Sequence, residues 1–301
     1  MAAFIITNLS ISQQKIEIWR LLSSTQCYMA FGGVPFYLTL MNGQESLAQN
    51  IDRLFFAKNA RMSGEFDELF NALFPNAEKY IAVVKALAEH REGLIRPEII
   101  DSTGISGGDL SKILENLQRC DFIDVYSRYK SMVRNSLYRI SDPYVLFYFK
   151  FIHGNHSKDE HFWSHNINSR QVSAWQGFSF ETICQLHLSQ IKSRLGIGGI
   201  ATSACSWRKV GSTAGQGAQI DLLIDRADRD INVCEMKFSE TPYAITKDYE
   251  ERLRTKMAVF RQETKATKSL ALTMVTTFGI QPGIHSGIVQ NEVLMNDLFA
   301  L

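Results

Sequence analysis

Two alternating segments joined by a short polar turn restrict this chain more than any other feature. Residues Ala218 to Ile224 and Ile231 to Phe238 are predicted strands, joined by Asp225-Arg226-Ala227-Asp228-Arg229-Asp230. Side chains on a strand point alternately to opposite faces, so four residues share one face of the second strand: Ile231, Val233, Glu235 and Lys237. Cys234 and Met236 make the other face apolar as well. A hairpin buried on both faces needs covering helices, so this region is expected to form an α/β domain.

Charged side chains lie at the end of this hairpin, where burial is costly unless a partner satisfies them. Asp221 and Glu235 would be brought together by the hairpin, and Mg²⁺ prefers one or two carboxylates plus waters. Lys237 would point at the same place and orient a water or stabilise developing negative charge. We therefore predict Asp221 and Glu235 as ligands of Mg²⁺, for which Mn²⁺ would substitute.

Glu181 is a fourth candidate on a predicted helix from Phe178 to Leu195. On an ideal helix it lies within roughly 60° of the apolar stripe formed by Cys184, Leu188, Ile191 and Leu195. The predicted catalytic set is Glu181, Asp221, Glu235 and Lys237. A purely structural interpretation stays open, in which Glu235 and Lys237 form an ion pair and Asp221 caps a turn.

The region before this domain is predicted to be helical up to about residue 75, and residues 76–152 follow a different plan. Three helices and a hairpin are predicted there: Ala77 to His90, Arg96 to Ser102, Gly107 to Cys120, then strands Phe122 to Tyr126 and Leu137 to Ile140. This order is the plan of a winged helix-turn-helix. Residues 153–177 are predicted to be a polar linker, and residues 178–301 the α/β domain.

Nucleic-acid binding by this chain requires a local basic patch, because the formal net charge is only +1. The third helix of the winged-helix region carries Lys112 and Arg119 on its outer face. The following loop carries Arg128, Lys130 and Arg134. These five cations are the predicted DNA contacts, through phosphates and insertion into a groove. Glu115 in the middle of the helix face opposes this prediction, and a protein-binding role for the same module stays open.

The histidines, the cysteines and the N-terminal residues give no sign of a metal site, a disulfide framework or a targeting signal. The histidines at 153, 156, 161 and 165 have spacings that suit zinc only in part, so a solvated linker is favoured. The 5 cysteines are scattered without a CxxC pair, as expected for reduced thiols in the cytoplasm. No targeting signal or membrane-spanning stretch is apparent, so we expect a cytoplasmic protein without a membrane partner.

The catalytic candidates resemble the PD-(D/E)xK phosphodiesterase superfamily, which has the restriction-endonuclease-like fold. Glu181, Asp221, Glu235 and Lys237 match its helix glutamate, metal-binding aspartate and E-x-K element in order. The resemblance implies a nuclease-like domain. D…ExK alone is a weak motif, and the order of helix, strand, hairpin and strand makes it more specific.

Further motifs recur in the same order in a larger family: Gly32-Gly33-Val34-Pro35-Phe36-Tyr37-Leu38, Gly64-Glu65-Phe66, Tyr138-Arg139-Ile140-Ser141-Asp142-Pro143 and Gly177-Phe178. Together they resemble the C-terminal half of bacterial and archaeal AAA-type ATPases, in which a helical lid, a winged helix and a nuclease-like domain follow the ATPase domain. The resemblance covers nearly the whole chain. It implies an AAA-type ATPase domain or subunit as a partner.

The sequence departs from that family in lacking the phosphate-binding loop. No G-x-x-x-x-G-K-[ST] occurs, so we expect neither an ATP site nor ATP hydrolysis in this chain alone. The favoured function is DNA binding with Mg²⁺-dependent phosphodiester cleavage. The alternative is a non-catalytic regulatory or scaffold module of an ATPase. The sequence leaves open whether the chain is an enzyme.

Overall fold

The computed structural model describes residues 22–131, 136–210 and 217–300. It is 49% helical and 19% strand, so the expected mixed α/β class is confirmed. The described residues divide into two compact units. The N-terminal unit contains residues 22–125 and 136–179, and the C-terminal unit contains residues 126–131, 180–210 and 217–300. None of the helices in these ranges is long and apolar enough to cross a membrane.

The N-terminal unit is mainly helical. After helix α1 (22–31), its helices are α2 (Pro35–Thr39), α3 (Leu47–Ile51), α4 (Glu65–Leu73), α5 (Ala77–Ala88), α6 (Arg96–Thr103), α7 (Gly107–Arg119), α8 (Pro143–Phe147) and α9 (Phe162–Asn166). Two π-helical turns, Asp52–Phe56 and Tyr148–Ile152, directly continue α3 and α8. Strands β1 (Leu94–Ile95), β2 (Ile123–Tyr126) and β3 (Leu137–Ile140) form a small sheet in the order β1-β3-β2.

The helix signals that the sequence contains explain most of these boundaries. In α7, Leu110, Ile113, Leu114 and Leu117 are all buried, as their helical spacing predicts. The side chain of Asp142 caps α8 by accepting a hydrogen bond from the backbone N–H of Val145 at 2.7 Å. Aromatic side chains fill the core, and the rings of Phe66 and Tyr148 stack with centroids 4.2 Å apart.

The C-terminal unit is built around a five-stranded sheet in sequential order: β4 (Thr202–Lys209), β5 (Ala218–Arg226), β6 (Asp230–Lys237), β7 (Ser269–Thr276) and β8 (Asn291–Leu294). Strands β4, β5 and β6 pair antiparallel, and β6, β7 and β8 pair parallel. Its helices are α11 (Leu188–Arg194), α12 (Lys247–Thr264) and α13 (Met295–Leu298), together with the end of α10 (Arg170–Leu186). The helix α12 is the crossover between the parallel strands β6 and β7.

The structure differs from the sequence-based expectation in three places. Residues 153–177, expected to be a polar linker, contain α9 and the first part of α10. The helix expected from Phe178 to Leu195 consists of the end of α10 and α11, with a break at His187. Three strands at the sheet edges, β1, β4 and β8, were not expected from the sequence. Short or irregular edge strands carry weak periodicity, which explains why they escaped prediction.

Candidate functional site at the ends of two strands

The hairpin of β5 and β6 places two predicted ligands at neighbouring positions. The pairing of these strands includes Leu223 with Val233 and ends with Leu222 opposite Cys234. Asp221 and Glu235 are each one residue beyond that last pair, so both point to the same face of the sheet. This face also carries Val233, which packs against α12. The candidate site therefore lies near the start of β5 and the end of β6, at the side of the sheet covered by α12.

The carboxylate of Glu235 is buried and held by three donors. Glu235 is only 8% exposed. Its Oε1 accepts a hydrogen bond from the hydroxyl of Tyr249 at 2.8 Å and lies 2.8 Å from Nζ of Lys237. Its Oε2 lies 2.6 Å from Nζ of Lys256. Three donors from two structural elements thus hold one buried negative charge, as burial of an ion requires.

Helix α12 supplies two members of this cluster that the sequence analysis missed. Tyr249, Leu253, Lys256 and Phe260 have the spacing of one helical face. Tyr249, Leu253 and Phe260 are buried on that face. Lys256 is therefore a charged residue at a core position of an amphipathic helix. A lysine in an apolar stripe is the sequence signal that could have identified Lys256, because such a residue needs a buried anionic partner.

The electrostatics of the cluster follow from burial and from the two lysines. Burial alone would raise the pKa of Glu235, and the ammonium groups of Lys256 and Lys237 overcome it, lowering that pKa to about 2. Burial would lower the pKa of Lys237, and the Glu235 carboxylate reverses this, so that pKa lies above its usual value. Burial raises the pKa of Tyr249, and the charge of Glu235 raises it further. At neutral pH the cluster therefore holds an ionised Glu235 and a neutral phenol.

The other two predicted catalytic residues lie at the edge of this cluster. The negative charge of Glu181, on α10, contributes to the raised pKa of Lys237. Asp221 is half-buried, and its Oδ1 accepts a hydrogen bond from Nε2 of Gln219 at 2.7 Å. Its backbone carbonyl accepts a bond from Nε2 of Gln185 at 3.3 Å, which connects β5 to α10. The geometry brings Glu235 and Lys237 into contact and places Asp221 on the adjoining strand.

Comparisons with protein-family models, curated proteins and solved structures find no match to this chain. The family resemblance therefore depends on the quoted motifs alone. Among residues 22–131, 136–210 and 217–300, no three His, Cys, Asp or Glu side chains are placed to hold a metal ion. In the polar stretch 153–165, Nδ1 of His165 lies 2.8 Å from Oδ2 of Asp159, so this histidine has a carboxylate partner.

The predicted DNA contacts fall in both units. On α7, Lys112 is exposed, whereas Arg119 forms an ion pair with Glu115 at 2.8 Å. This pair is well exposed on both sides and contributes little to stability. It reduces the positive charge that Arg119 presents. Arg134 lies outside the described residues.

The other two predicted contacts, Arg128 and Lys130, belong to the C-terminal unit. Both side chains are exposed. Arg128 forms a parallel bridge with Ser206 of β4. Nζ of Lys130 lies 3.4 Å from the backbone carbonyl oxygen of Thr264 in α12. The loop that carries these residues is thus held along the β4 edge of the sheet.

Proposed function

We propose that this chain is a DNA-binding protein whose C-terminal unit cleaves phosphodiester bonds with the help of Mg²⁺. The observation that carries this proposal is the buried contact between Glu235 and Lys237 at the end of β6. A carboxylate and an ammonium lie two residues apart on β6, beside the start of β5, which carries Asp221. This matches the arrangement implied by the nuclease resemblance. Buried, charge-coupled groups of this kind are concentrated at functional sites.

The donor set allows a Mg²⁺ ion with few protein ligands. A carboxylate has about four lone-pair positions, two on each oxygen. Oε1 of Glu235 uses two of them, for Tyr249 and Lys237, whereas Lys256 uses one position of Oε2. One position on Oε2 remains for an ion, and Asp221 would supply the second carboxylate. When bound, Mg²⁺ would neutralise charge on a phosphate and lower the pKa of a coordinated water.

The chain's own residues would then have separate roles. An ammonium carries three donors, and Lys237 uses one on Glu235. Its other donors would hold a water or a phosphate oxygen. Lys256 and Tyr249 would keep Glu235 ionised and fixed in position. Glu181 would add negative charge at the outer edge of the site.

The N-terminal unit supports a role in DNA recruitment. Its helices α5, α6 and α7 precede the strands β2 and β3 in the order of a winged helix-turn-helix. This order supports the proposal that the module has the winged-helix fold, as the C-terminal sheet with its flanking helices supports a restriction-endonuclease-like fold. The resemblance further leads us to propose a cytoplasmic protein that acts with an AAA-type ATPase.

A second candidate, a non-catalytic regulatory module of such an ATPase, is favoured by a specific observation. Glu235 already has three donors, and a depressed pKa of about 2 shows that its charge is well compensated. A metal would have to share Oε2 with the positive charge of Lys256. In this candidate function the four charged residues stabilise the fold and have no substrate.

Nicking of supercoiled plasmid separates the two functions. The wild-type protein is compared with Glu235→Ala and Lys237→Ala in Mg²⁺ and Mn²⁺, and thermal melting confirms that each variant is folded. Lys247→Gln, an exposed change at the start of α12, is the matched control. Metal-dependent nicking that both site variants lose and the control keeps supports the nuclease. Equal nicking by all proteins indicates a contaminant, and folded proteins without nicking favour the regulatory module.

A further inference from the structure

The segment after β2 extends the sheet of the C-terminal unit. The backbone N–H of Tyr129 donates to the carbonyl oxygen of Ser206 at 2.8 Å, and the N–H of Ser206 donates to that of Ser127 at 3.0 Å. Ser206 lies in β4, the edge strand of the five-stranded sheet. An exposed strand edge offers unpaired backbone groups, and this segment satisfies some of them.

Side-chain contacts bring the same segment to the C-terminal end of α12. The ring of Tyr129 packs edge-on against Phe260, with centroids 5.1 Å apart. The Nζ of Lys130 lies 3.4 Å from the carbonyl oxygen of Thr264. Arg128, between the two paired positions of the segment, is exposed. Arg128 and Lys130 are therefore held beside the last turn of α12.

Further cations lie at and beside the last turn of α12. Arg261 and Lys265 are both exposed there. Lys209, near the end of β4, forms an ion pair with Glu263 at 2.6 Å, which places it beside the same turn. We define the basic surface as Arg128, Lys130, Lys209, Arg261 and Lys265. Glu263 compensates one of these five cations through its ion pair with Lys209, so the surface is locally positive although the chain has a net charge of only +1.

We propose that this basic surface binds the phosphate backbone of duplex DNA. The inference rests on the proposed function and places the DNA contact on the C-terminal unit, outside the helix α7. Clustered Lys and Arg side chains neutralise phosphates and release condensed counterions, which gives affinity without base readout. The contacts come from a sheet edge and a helix end that backbone and aromatic packing hold together. The binding is therefore expected to be independent of base sequence.

The test measures binding of the full chain to a short fluorescent duplex DNA by anisotropy, over a range of NaCl concentrations. The variant is Arg128→Gln/Arg261→Gln, because both side chains are exposed and neither change disturbs the backbone pairing. The control is Lys247→Gln, about 21 Å away from Arg261 along α12 at 1.5 Å per residue. A second variant, Lys112→Gln/Arg119→Gln, tests the outer face of α7. Thermal melting shows that all proteins are folded.

The expected result is a loss of about 10-fold or more in affinity for Arg128→Gln/Arg261→Gln, with a salt slope lower by about 2. The control keeps the wild-type affinity and slope. Unchanged binding by this variant, with weakened binding by Lys112→Gln/Arg119→Gln, overturns the basic surface and leaves the proposed DNA-binding function standing. A wild-type protein that does not bind duplex DNA even at low salt overturns both. Tighter binding of duplex RNA through the same residues overturns the assignment to DNA.

Discussion

The ammonium of Lys256 lies 2.6 Å from Oε2 of Glu235, which ties the middle of α12 to the end of β6. The two contacting residues are 21 positions apart in the chain. It gives the buried carboxylate a second cation besides Lys237. Because both lysines act on the same group, the geometry of the proposed site depends on the helix as well as on the E-x-K element.

Acid should weaken the fold through Glu235. Its pKa lies at about 2 in the folded protein, against an ordinary value of 4.5. Between about pH 4.5 and pH 2 the unfolded chain takes up a proton that the native state does not, so stability falls as the pH falls. Ionised Glu235 contributes up to ~3 kcal/mol to the free energy of unfolding, and this contribution is fully present only above about pH 4.5. Urea unfolding of wild type and Glu235→Gln across this range measures the contribution.

At neutral pH, Glu235→Gln should be less stable than wild type by about 3 kcal/mol, because two lysines lose their anionic partner. That difference should shrink toward pH 2. A difference that stays constant across the range would show that the lysines do not depress the pKa of Glu235.

Replacing Lys256 should loosen α12 from the sheet. Lys256→Met keeps the length of the side chain and removes a charged hydrogen bond, so we expect a loss of about 1.5–3 kcal/mol in the free energy of unfolding. Lys247→Met on the exposed start of the same helix should change it by less than ~0.5 kcal/mol. A double variant with Glu235→Gln should lose less than the two single changes together. Additive losses would mean that the two side chains do not interact.

The sequence predicted much of this architecture because most elements have strong local signals. Strand β6 and helices α5 and α7 carry clear alternation or helical stripes, and their boundaries agree with the expected ones within two residues at each end. The register of β5 and β6 also followed, since a short polar turn joins them. The features that the sequence did not predict depend on contacts between residues far apart in the chain. Lys256 becomes part of the site only because α12 packs across the strand end, and no local pattern specifies the carboxylate that it meets.

The position of the loop after β2 could not be predicted from the sequence either. From their charge alone, Arg128 and Lys130 were predicted to lie on a wing that inserts into a DNA groove. Their position beside β4 depends on backbone bonds to Ser206 and on the ring of Tyr129, both made with residues more than seventy positions away. Contacts over such separations are tertiary and leave no periodicity in the sequence.

Tyr129 should anchor this loop to the C-terminal unit. Tyr129→Ala removes its packing on Phe260, and we expect it to destabilise the protein by about 1–3 kcal/mol, because the ring is half-buried. The amide hydrogens of Tyr129 and Ser206 should exchange slowly in the wild type, since each donates across the sheet edge. Hydrogen exchange followed by mass spectrometry measures the exchange rates of both amides. Fast exchange at both amides in the wild type would contradict the docked position of the loop.

The proposed phosphodiester-cleaving site lies near the start of β5 and the end of β6, and Asp221→Asn is its sharpest test. Asp221 is half-buried, and its side chain accepts from Gln219, so an amide of the same shape should preserve the fold. The measurement is the rate of plasmid nicking in Mg²⁺ by wild type and Asp221→Asn, with melting curves for both. We expect metal-dependent nicking by the wild type and a loss of about 100-fold or more in the folded variant. Equal rates, or a folded wild type that does not nick, would contradict it.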